Sequence, residues 1–231
     1  MPKEEKATPV SSATRAAIET SVVRINPPNM RRATFGIRGT APLVIHRMSA
    51  KLKKQLRQKM ELGQAAAGKK DRTPRDIDAL FEEARYISPE GWDGFHAAAL
   101  RNAAISACRL VGFHMTKMKL SFFVEPDGWD ATEPQIPLVA ITGDPVKQED
   151  IGRVETGQPY VIVRAAYHKW SARPCIRWDA DQFTPDDVAN LLYRVGAQVG
   201  IGEGRPDSKD SAGMGWGLFE LEGMEVEESA K

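Results

Sequence analysis

The stretch Gly196–Glu222, G-A-Q-V-G-I-G-E-G-R-P-D-S-K-D-S-A-G-M-G-W-G-L-F-E-L-E, is the most informative part of this chain. Two clusters of glycine flank a short basic loop, and an apolar run follows the second cluster. Glycine permits positive φ and lets the backbone come close to a ligand or to another chain. The stretch therefore predicts a backbone surface that lies against a partner. The candidate contacts in it are Gly202, Gly204, Arg205, Lys209, Gly213 and Gly215.

The order of elements around the glycines argues against a nucleotide cofactor. Thr184, Pro185 and two aspartates predict a helix start, and Gly196 predicts its end, so the order is helix, glycines, strand. Dinucleotide and phosphate loops need strand, glycines, helix, because the phosphate meets a helix N-terminus. The four histidines are far apart, and no C-x-x-C occurs. We therefore expect no cofactor and no metal.

Composition indicates one domain with unevenly distributed charge. The chain has 231 residues and a formal net charge of +1. It has no apolar run of membrane-spanning length and no secretory leader pattern, so we expect a cytoplasmic protein without a membrane partner. Lysine and arginine crowd Lys51–Lys70, and glutamate crowds the C-terminus. Such separation favours either a polyanion on one side or head-to-tail stacking of copies.

Periodicity and capping signals predict the order of elements. Strands are predicted at Ala33–Met48, Met115–Val124, Ile136–Ile141, Tyr160–Tyr167 and Cys175–Trp178, with a final strand after the glycines. Helices are predicted at Ser49–Gln64, Thr73–Ala84, Phe95–Val111 and Thr184–Val195. Val146–Gln158 is predicted to be a loop, and the strands around His168 a hairpin.

Without insertions this order is β-α-β-β-α-β. It predicts an α+β fold, with a ferredoxin-like (RRM-like) antiparallel sheet and helices on one face. The basic helical segment 49–90 is then an insertion, and the hairpin an extension. The predicted organisation is an N-terminal arm at 1–30, one domain at 31–222 and an acidic tail at 223–231.

Two segments combine the residue types that bind single-stranded nucleic acid. The predicted hairpin interleaves cations, Arg164 and Lys169, with aromatic rings, Tyr167 and Trp170. Cations suit phosphates, and aromatic faces suit bases. An ordinary hairpin whose tryptophan anchors the core is the alternative. The helix predicted at Ser49–Gln64 has a narrow apolar stripe and a basic face, which either contacts phosphates or is merely solvated.

Three stretches resemble the RAMP superfamily of CRISPR proteins. G-I-G-E-G-R-P, followed after a short gap by G-M-G-W-G-L-F-E, resembles the C-terminal glycine-rich loop of that superfamily. R-G-T-A-P-L-V-I-H-R (Arg38–Arg47) resembles its first-strand motif, and F-H-A-A-A-L-R-N-A (Phe95–Ala103) resembles the start of its first helix. The three occur in the family's order, with long unmatched insertions between them.

This resemblance implies an RRM-like core that binds RNA, or another single strand, along its backbone. The chain looks most like the subunits that polymerise along a guide RNA, so we expect a non-enzymatic, head-to-tail homo-oligomer. Because the chain is shorter than most such subunits, this resemblance also admits a stand-alone phage relative. Tyr167 and Trp170 are the expected stacking residues. The cations expected to contact the strand are Arg38, Arg47, Lys53, Lys54, Arg57, Arg101, Arg164, Lys169, Arg205 and Lys209.

Two alternatives stay open. One is a metal-independent RNA endonuclease of the same superfamily, with His46 or His168 as general base. The other is an assembly protein, or one that interferes with a CRISPR complex, without contact to nucleic acid. RNA and DNA are not distinguished at this level, because recognition of the 2′-hydroxyl depends on geometry.

Overall fold

The computed structural model describes residues 25–62, 76–153, 157, 159–208 and 213–226. Most of the predicted arm, Lys209 and residues 227–231 lie outside this part. The strands are β1 Met30–Gly39, β2 Leu43–Ile45, β3 Tyr86–Ile87, β4 Asp93–His96, β5 Phe122–Glu125, β6 Gly128–Trp129, β7 Pro137–Thr142, β8 Val146–Arg153, β9 Pro159–Tyr167, β10 Ser171–Ala172, β11 Cys175–Asp179 and β12 Phe219–Val226. The described helices are α1 Ala50–Leu62, α2 Ile77–Ala84, α3 Ala97–Ala107, α4 Met115–Ser121 and α5 Pro185–Arg194.

Strand β1 is the centre of a large antiparallel sheet. It pairs with β12 along one side, from Ala33 opposite Val226 to Gly39 opposite Phe219, and with β11 and β10 along the other. β11 then pairs with β5, and β10 with β7, which also pairs with β4 and β6. Phe35 and Ile37 alternate into the core and are fully buried, each burial contributing about 1.5–3 kcal/mol. The predicted α+β class with an antiparallel sheet is confirmed.

Helices α3 and α5 cover this sheet. α3 packs on β4, β5 and β7, α5 packs on β12, and the two helices contact each other. Thr184 begins α5 with a capping box, in which the Asp187 amide donates to Thr184 Oγ1 and the Thr184 amide donates to Asp187 Oδ2. Leu100 of α3 and Leu192 of α5 are fully buried beneath them. None of the described helices is long and apolar enough to cross a bilayer.

A second sheet corrects the prediction of a loop at Val146–Gln158. Strands β2, β9 and β8 form a three-stranded antiparallel sheet, in which Val146 lies opposite Ala166 and Arg153 lies opposite Pro159. The hairpin is therefore β8–β9. The predicted hairpin between β9 and β11 is wrong, because β11 belongs to the large sheet. β8 is a polar edge strand without apolar alternation, and its partner in β9 stabilises it.

Three other boundaries also differ from prediction. Met115–Ser121 is a helix, because Met118 and Ser121 are buried three residues apart while Leu120 is 73% exposed. Helix α2 begins after the cap Asp76, whereas the predicted cap Thr73 lies outside the described residues. The acidic tail predicted from residue 223 is corrected as well, because β12 continues to Val226.

Candidate functional site

The glycine loop, residues 200–217, is anchored to the segment that follows β1. The amide of Glu203 donates to the carbonyl oxygen of Val44 at 2.9 Å, and the amide of Gly217 donates to that of Pro42 at 2.7 Å. The amide of Ile201 donates to the carbonyl oxygen of Gly217 at 3.0 Å, which joins the two glycine clusters. The described part of the loop therefore has a defined position against the body of the protein.

The glycines of this loop serve two different purposes. A Cβ on Gly204 would overlap the ring of Trp216, and a Cβ on Gly202 would lie 2.6 Å from the carbonyl oxygen of Val44. These two glycines are required by packing within the chain. Among the described residues, Gly215 has no atom within 4 Å of an added Cβ, and Gly213 has only the carbonyl oxygen of Pro206 at 3.9 Å. These two glycines thus have open space at the position of a Cβ.

A cleft of about 320 Å³, here called the α3 cleft, separates the first glycine cluster from helix α3. Its α3 wall consists of small side chains, so the helix backbone lies close to the open space. Of the predicted site residues, Gly202 and Arg205 border it. The lining residues are His96, Ala98, Ala99, Asn102, Ala103, Ser106, Gly202, Arg205 and Asp207.

Two hydrogen-bond donors of the α3 cleft are held in place by the backbone. His96 caps α3, since its Nδ1 accepts from the amide of Ala98 at 3.0 Å. Burial lowers the pKa of His96, so the ring is neutral near pH 7 and carries its proton on Nε2. Arg205 donates through Nη1 to the carbonyl oxygen of Gly202 at 3.0 Å, which leaves other guanidinium N–H groups for a ligand.

Arg109 forms a bridge at the end of the α3 cleft. Its Nη2 donates to both carboxylate oxygens of Asp207, at 2.9 and 3.1 Å. The same guanidinium donates to Ser106, through Nε to the carbonyl oxygen at 3.3 Å and through Nη2 to Oγ at 3.1 Å. The Arg109 bridge thus links the C-terminal turn of α3 to the glycine loop.

The predicted contact residues Arg47 and Arg164 are corrected, because internal carboxylates hold them. Arg47 is 9% exposed, and its Nη2 lies 3.0 Å from Asp130 Oδ1 and 2.8 Å from Glu133 Oε1. Arg164 is 12% exposed and donates to Asp150 at 2.7 Å and to Glu203 at 2.6 Å. Neither side chain is available to a phosphate unless a buried ion pair breaks.

Three more predicted cations have partners within the protein. Arg38 pairs with Glu220 and, at 3.1 Å, with Glu222 on the neighbouring strand β12. Lys53 pairs with Glu133. Arg101 donates through Nε to the carbonyl oxygen of Phe122 at 3.0 Å and through Nη2 to that of Lys119, and it lies over the ring of Phe123. Arg101 therefore fixes α3 to the start of β5 and does not face the α3 cleft as a free cation.

Lys54, Arg57 and Lys169 remain exposed. Lys54 and Arg57 lie on α1, and Lys169 lies in the turn after β9. Within the described ranges none of the three forms an ion pair. They are the predicted cations, beside Arg205, that a polyanion can reach.

The predicted stacking role of Tyr167 and Trp170 is wrong. Tyr167 is fully buried and Trp170 is 3% exposed. Trp170 donates through Nε1 to the carbonyl oxygen of Ala41 at 2.9 Å and packs edge-on against Phe219, with ring centroids 6.2 Å apart. Both rings belong to the core, so neither has a face for a base.

His46 lies beside the glycine loop. Its Nδ1 is 3.3 Å from Glu203 Oε2, and its side chain is 43% exposed. Burial alone would raise the pKa of Glu203, but the hydrogen bonds and charges of His46 and Arg164 outweigh it and lower this pKa to about 2. Glu203 is therefore ionised and can orient the imidazole. His168 is exposed, and no carboxylate pairs with it in the described part of the chain.

Sequence reasoning did not assign the polar residues of the α3 cleft, namely His96, Asn102, Ser106 and Asp207. A signal for two of them exists, because residues spaced by three or four lie on one face of a helix. Ala98, Asn102 and Ser106 follow this spacing. The sequence prediction instead chose Arg101, which points to a neighbouring face.

No protein-family model matches the chain, and no curated protein sequence matches it. Among solved structures, it is similar to a chain in the cryo-EM structure of the Type III-B Cmr-beta bound to cognate target RNA. The two chains are 13% identical, with a TM-score of 0.45. The match covers 94% of this chain and 66% of that chain, so this protein spans about two thirds of its length.

Proposed function

We propose that this chain binds single-stranded nucleic acid along the α3 cleft and catalyses no reaction. The cleft is the observation that supports this proposal. Its walls are a helix face on which three alanines alternate with Asn102 and Ser106, and a glycine loop, so a sugar-phosphate backbone can approach both main chains closely. His96 and Arg205 then supply donors at opposite walls, and neither is bound by a carboxylate in the described part of the chain.

Binding of a polyanion would depend on a few exposed cations and not on the net charge of the protein. The net charge of +1 gives no long-range attraction, and four of the ten predicted cations are held in ion pairs within the described structure. We place phosphate contacts at Arg205, which borders the cleft, and at Lys54 and Arg57, which are exposed on α1. Each phosphate contact contributes roughly −0.7 to the slope of log affinity against log salt for a single strand, so about three contacts predict a slope near −2.

The order of the central strands supports a finer assignment. It is β12–β1–β11–β5, with α3 between β1 and β5 in the chain and α5 between β11 and β12. This order corresponds to a ferredoxin-like (RRM-like) core. Together with the three motif resemblances, it supports a RAMP relationship, and we extend the proposal to a cytoplasmic protein whose copies line up head to tail on the strand.

Binding of a labelled 15-nucleotide single strand, followed by fluorescence anisotropy at several salt concentrations, tests the proposal. A99W fills the α3 cleft without changing charge, and R205A removes a donor. The matched controls are A131W on an exposed loop and R173A, an exposed arginine paired with Glu225. We expect R205A to weaken binding about tenfold or more, because a hydrogen bond to a charged group contributes ~1.5–3 kcal/mol.

A99W should weaken binding at least as much as R205A, whereas both controls should bind as the wild type does. The proposal fails if the wild type shows no salt-dependent binding, or if folded A99W binds unchanged. Mass photometry with and without the strand reports on assembly. Oligomers that form equally without it would favour the assembly protein instead.

A second candidate, a metal-independent RNA endonuclease, is favoured by the contact between His46 and Glu203. A carboxylate that orients an imidazole is the arrangement of a general base. Incubation of labelled RNA in EDTA distinguishes the two. RNA that stays intact and bound supports a protein that binds without cleaving. Discrete cleavage that is lost in H46A but kept in H168A would establish the second candidate.

A further inference from the structure

Asp207 is the only acidic residue among those that line the α3 cleft in the described part of the chain. A carboxylate in a groove for phosphodiester repels the ligand, since like charges about 4 Å apart interact unfavourably by ~1 kcal/mol in water and more when partly buried. Its presence is therefore unfavourable for phosphate contact. A carboxylate does, however, accept hydrogen bonds from uncharged donors.

The Arg109 bridge fixes this carboxylate and leaves acceptor positions open. Arg109 occupies one lone pair on each oxygen of Asp207, and an ionised carboxylate has about four such positions. The Asp207 side chain is 33% exposed, so a ligand can reach it. The guanidinium also offsets part of the negative charge, which reduces repulsion of neighbouring phosphates.

A single strand offers two kinds of uncharged donor, the ribose 2′-hydroxyl and the N–H groups of the bases. The described lining of the cleft contains no phenylalanine, tyrosine or tryptophan on which a base could stack. The backbone is thus the part of the strand that fits there. The 2′-hydroxyl is the donor that every ribonucleotide carries on its backbone, and it distinguishes RNA from DNA.

We propose that Asp207, positioned by Arg109, accepts a hydrogen bond from a ribose 2′-hydroxyl and makes the α3 cleft selective for RNA over single-stranded DNA. This inference rests on the proposed function. It adds a specificity-determining residue to the cleft and narrows its ligand to RNA.

Anisotropy with oligo(U), oligo(dU) and 2′-O-methyl oligo(U) of equal length tests it. The wild type should bind oligo(U) about tenfold or more tightly than oligo(dU), the effect of one hydrogen bond to a charged group. The 2′-O-methyl strand lacks the donor and should bind as oligo(dU) does. In D207A the RNA preference should fall to about onefold, with the affinity for oligo(dU) unchanged or higher because a negative charge is removed.

D144A, which removes an exposed carboxylate elsewhere, is the charge-matched control and should keep the RNA preference. Equal wild-type affinity for oligo(U) and oligo(dU), or an unchanged preference in D207A, overturns the inference while leaving the proposed function in place. If D207A weakens the binding of RNA and of DNA equally, the Arg109 bridge has a purely structural role, and this result also overturns the inference. If no strand binds the wild type, the proposed function itself fails. The 2′-O-methyl comparison uses the wild-type protein, so it tests recognition of the 2′-hydroxyl even if D207A does not fold, and equal binding of all three strands overturns the inference.

Discussion

Replacing Gly217 with alanine tests whether the glycine loop is built for its own packing. Gly217 has φ of +70°, its amide donates to Pro42, and its carbonyl oxygen accepts from Ile201. A Cβ at this position would overlap the carbonyl oxygen of Ile201. Gly215 has nearly the same conformation, φ of +74°, but open space around an added Cβ. G217A and G215A are therefore matched in backbone strain and differ in crowding.

The expected difference follows from these contacts. Alanine in the left-handed region costs ~1–2 kcal/mol, and this applies to both variants. In G217A the backbone must also move away from Ile201, which disrupts two hydrogen bonds that contribute ~0.5–1.5 kcal/mol each. We expect G215A to lose ~1–2 kcal/mol of unfolding free energy and G217A ~2–5 kcal/mol.

Urea unfolding followed by circular dichroism measures both losses. Thermal unfolding provides a check, because each kcal/mol of lost stability lowers the melting temperature by about 2–4 °C in a chain of this size. Equal losses in the two variants, within ~0.5 kcal/mol, would refute the assignment of the Gly217 position to internal packing. So would a larger loss in G215A than in G217A.

Three further predictions concern charged and polar side chains. The fold lowers the pKa of Glu203 to about 2 from a usual 4.5. The stability that its ionised carboxylate contributes is therefore present above pH 4.5 and is lost as the pH falls towards 2. Urea unfolding across this pH range should show that E203Q loses less unfolding free energy than the wild type. R47A should lower the unfolding free energy by ~3–5 kcal/mol, because it leaves the buried Asp130 carboxylate without its cation. R38A should lower it by less than ~1 kcal/mol, because Arg38 is 59% exposed. Comparable losses in the two variants would contradict this ranking. Y167F should keep or slightly raise the melting temperature, since the buried hydroxyl of Tyr167 lies beside Asp93 and Arg85 but lacks hydrogen-bond geometry to any described residue. A loss of more than ~1 kcal/mol of unfolding free energy would show that it does form such a bond.

Elements with local signals were predictable from the sequence. Helix α5 begins within one residue of its predicted start, because Thr184, Pro185 and Asp187 specify a helix N-terminus by contacts among themselves. Strand β8 was missed because its stability comes from pairing with β9, and its polar residues carry no alternation. The apolar alternation of Met118, Leu120 and Phe122 falsely predicts one strand for a related reason. Met118 is buried as part of helix α4, whereas Phe122 is buried as part of the following strand β5.

The candidate site was predictable only in part, because partners across the fold decide which cations are free. Arg47, Arg164 and Arg205 look equivalent in sequence. Only the structure shows that Asp130, Asp150, Glu133 and Glu203 hold the first two, while Arg205 borders the cleft. Composition likewise did not show that Trp170 is a core residue. Of the glycines in the two clusters, Gly202 lines the cleft, and the packing role of Gly202 and Gly204 required coordinates.

Pairing between β1 and β12 has a consequence for how the protein is made. Ala33 and Val226 are neighbours in the sheet although they lie roughly 190 residues apart, and contacts of such long range form late. Until β12 leaves the ribosome, the ten-residue strand β1 has one open side, and strands in that state readily pair with other chains. Nascent chains that end before Phe219 therefore expose an unpaired strand edge, which needs chaperone protection until β12 has been synthesised.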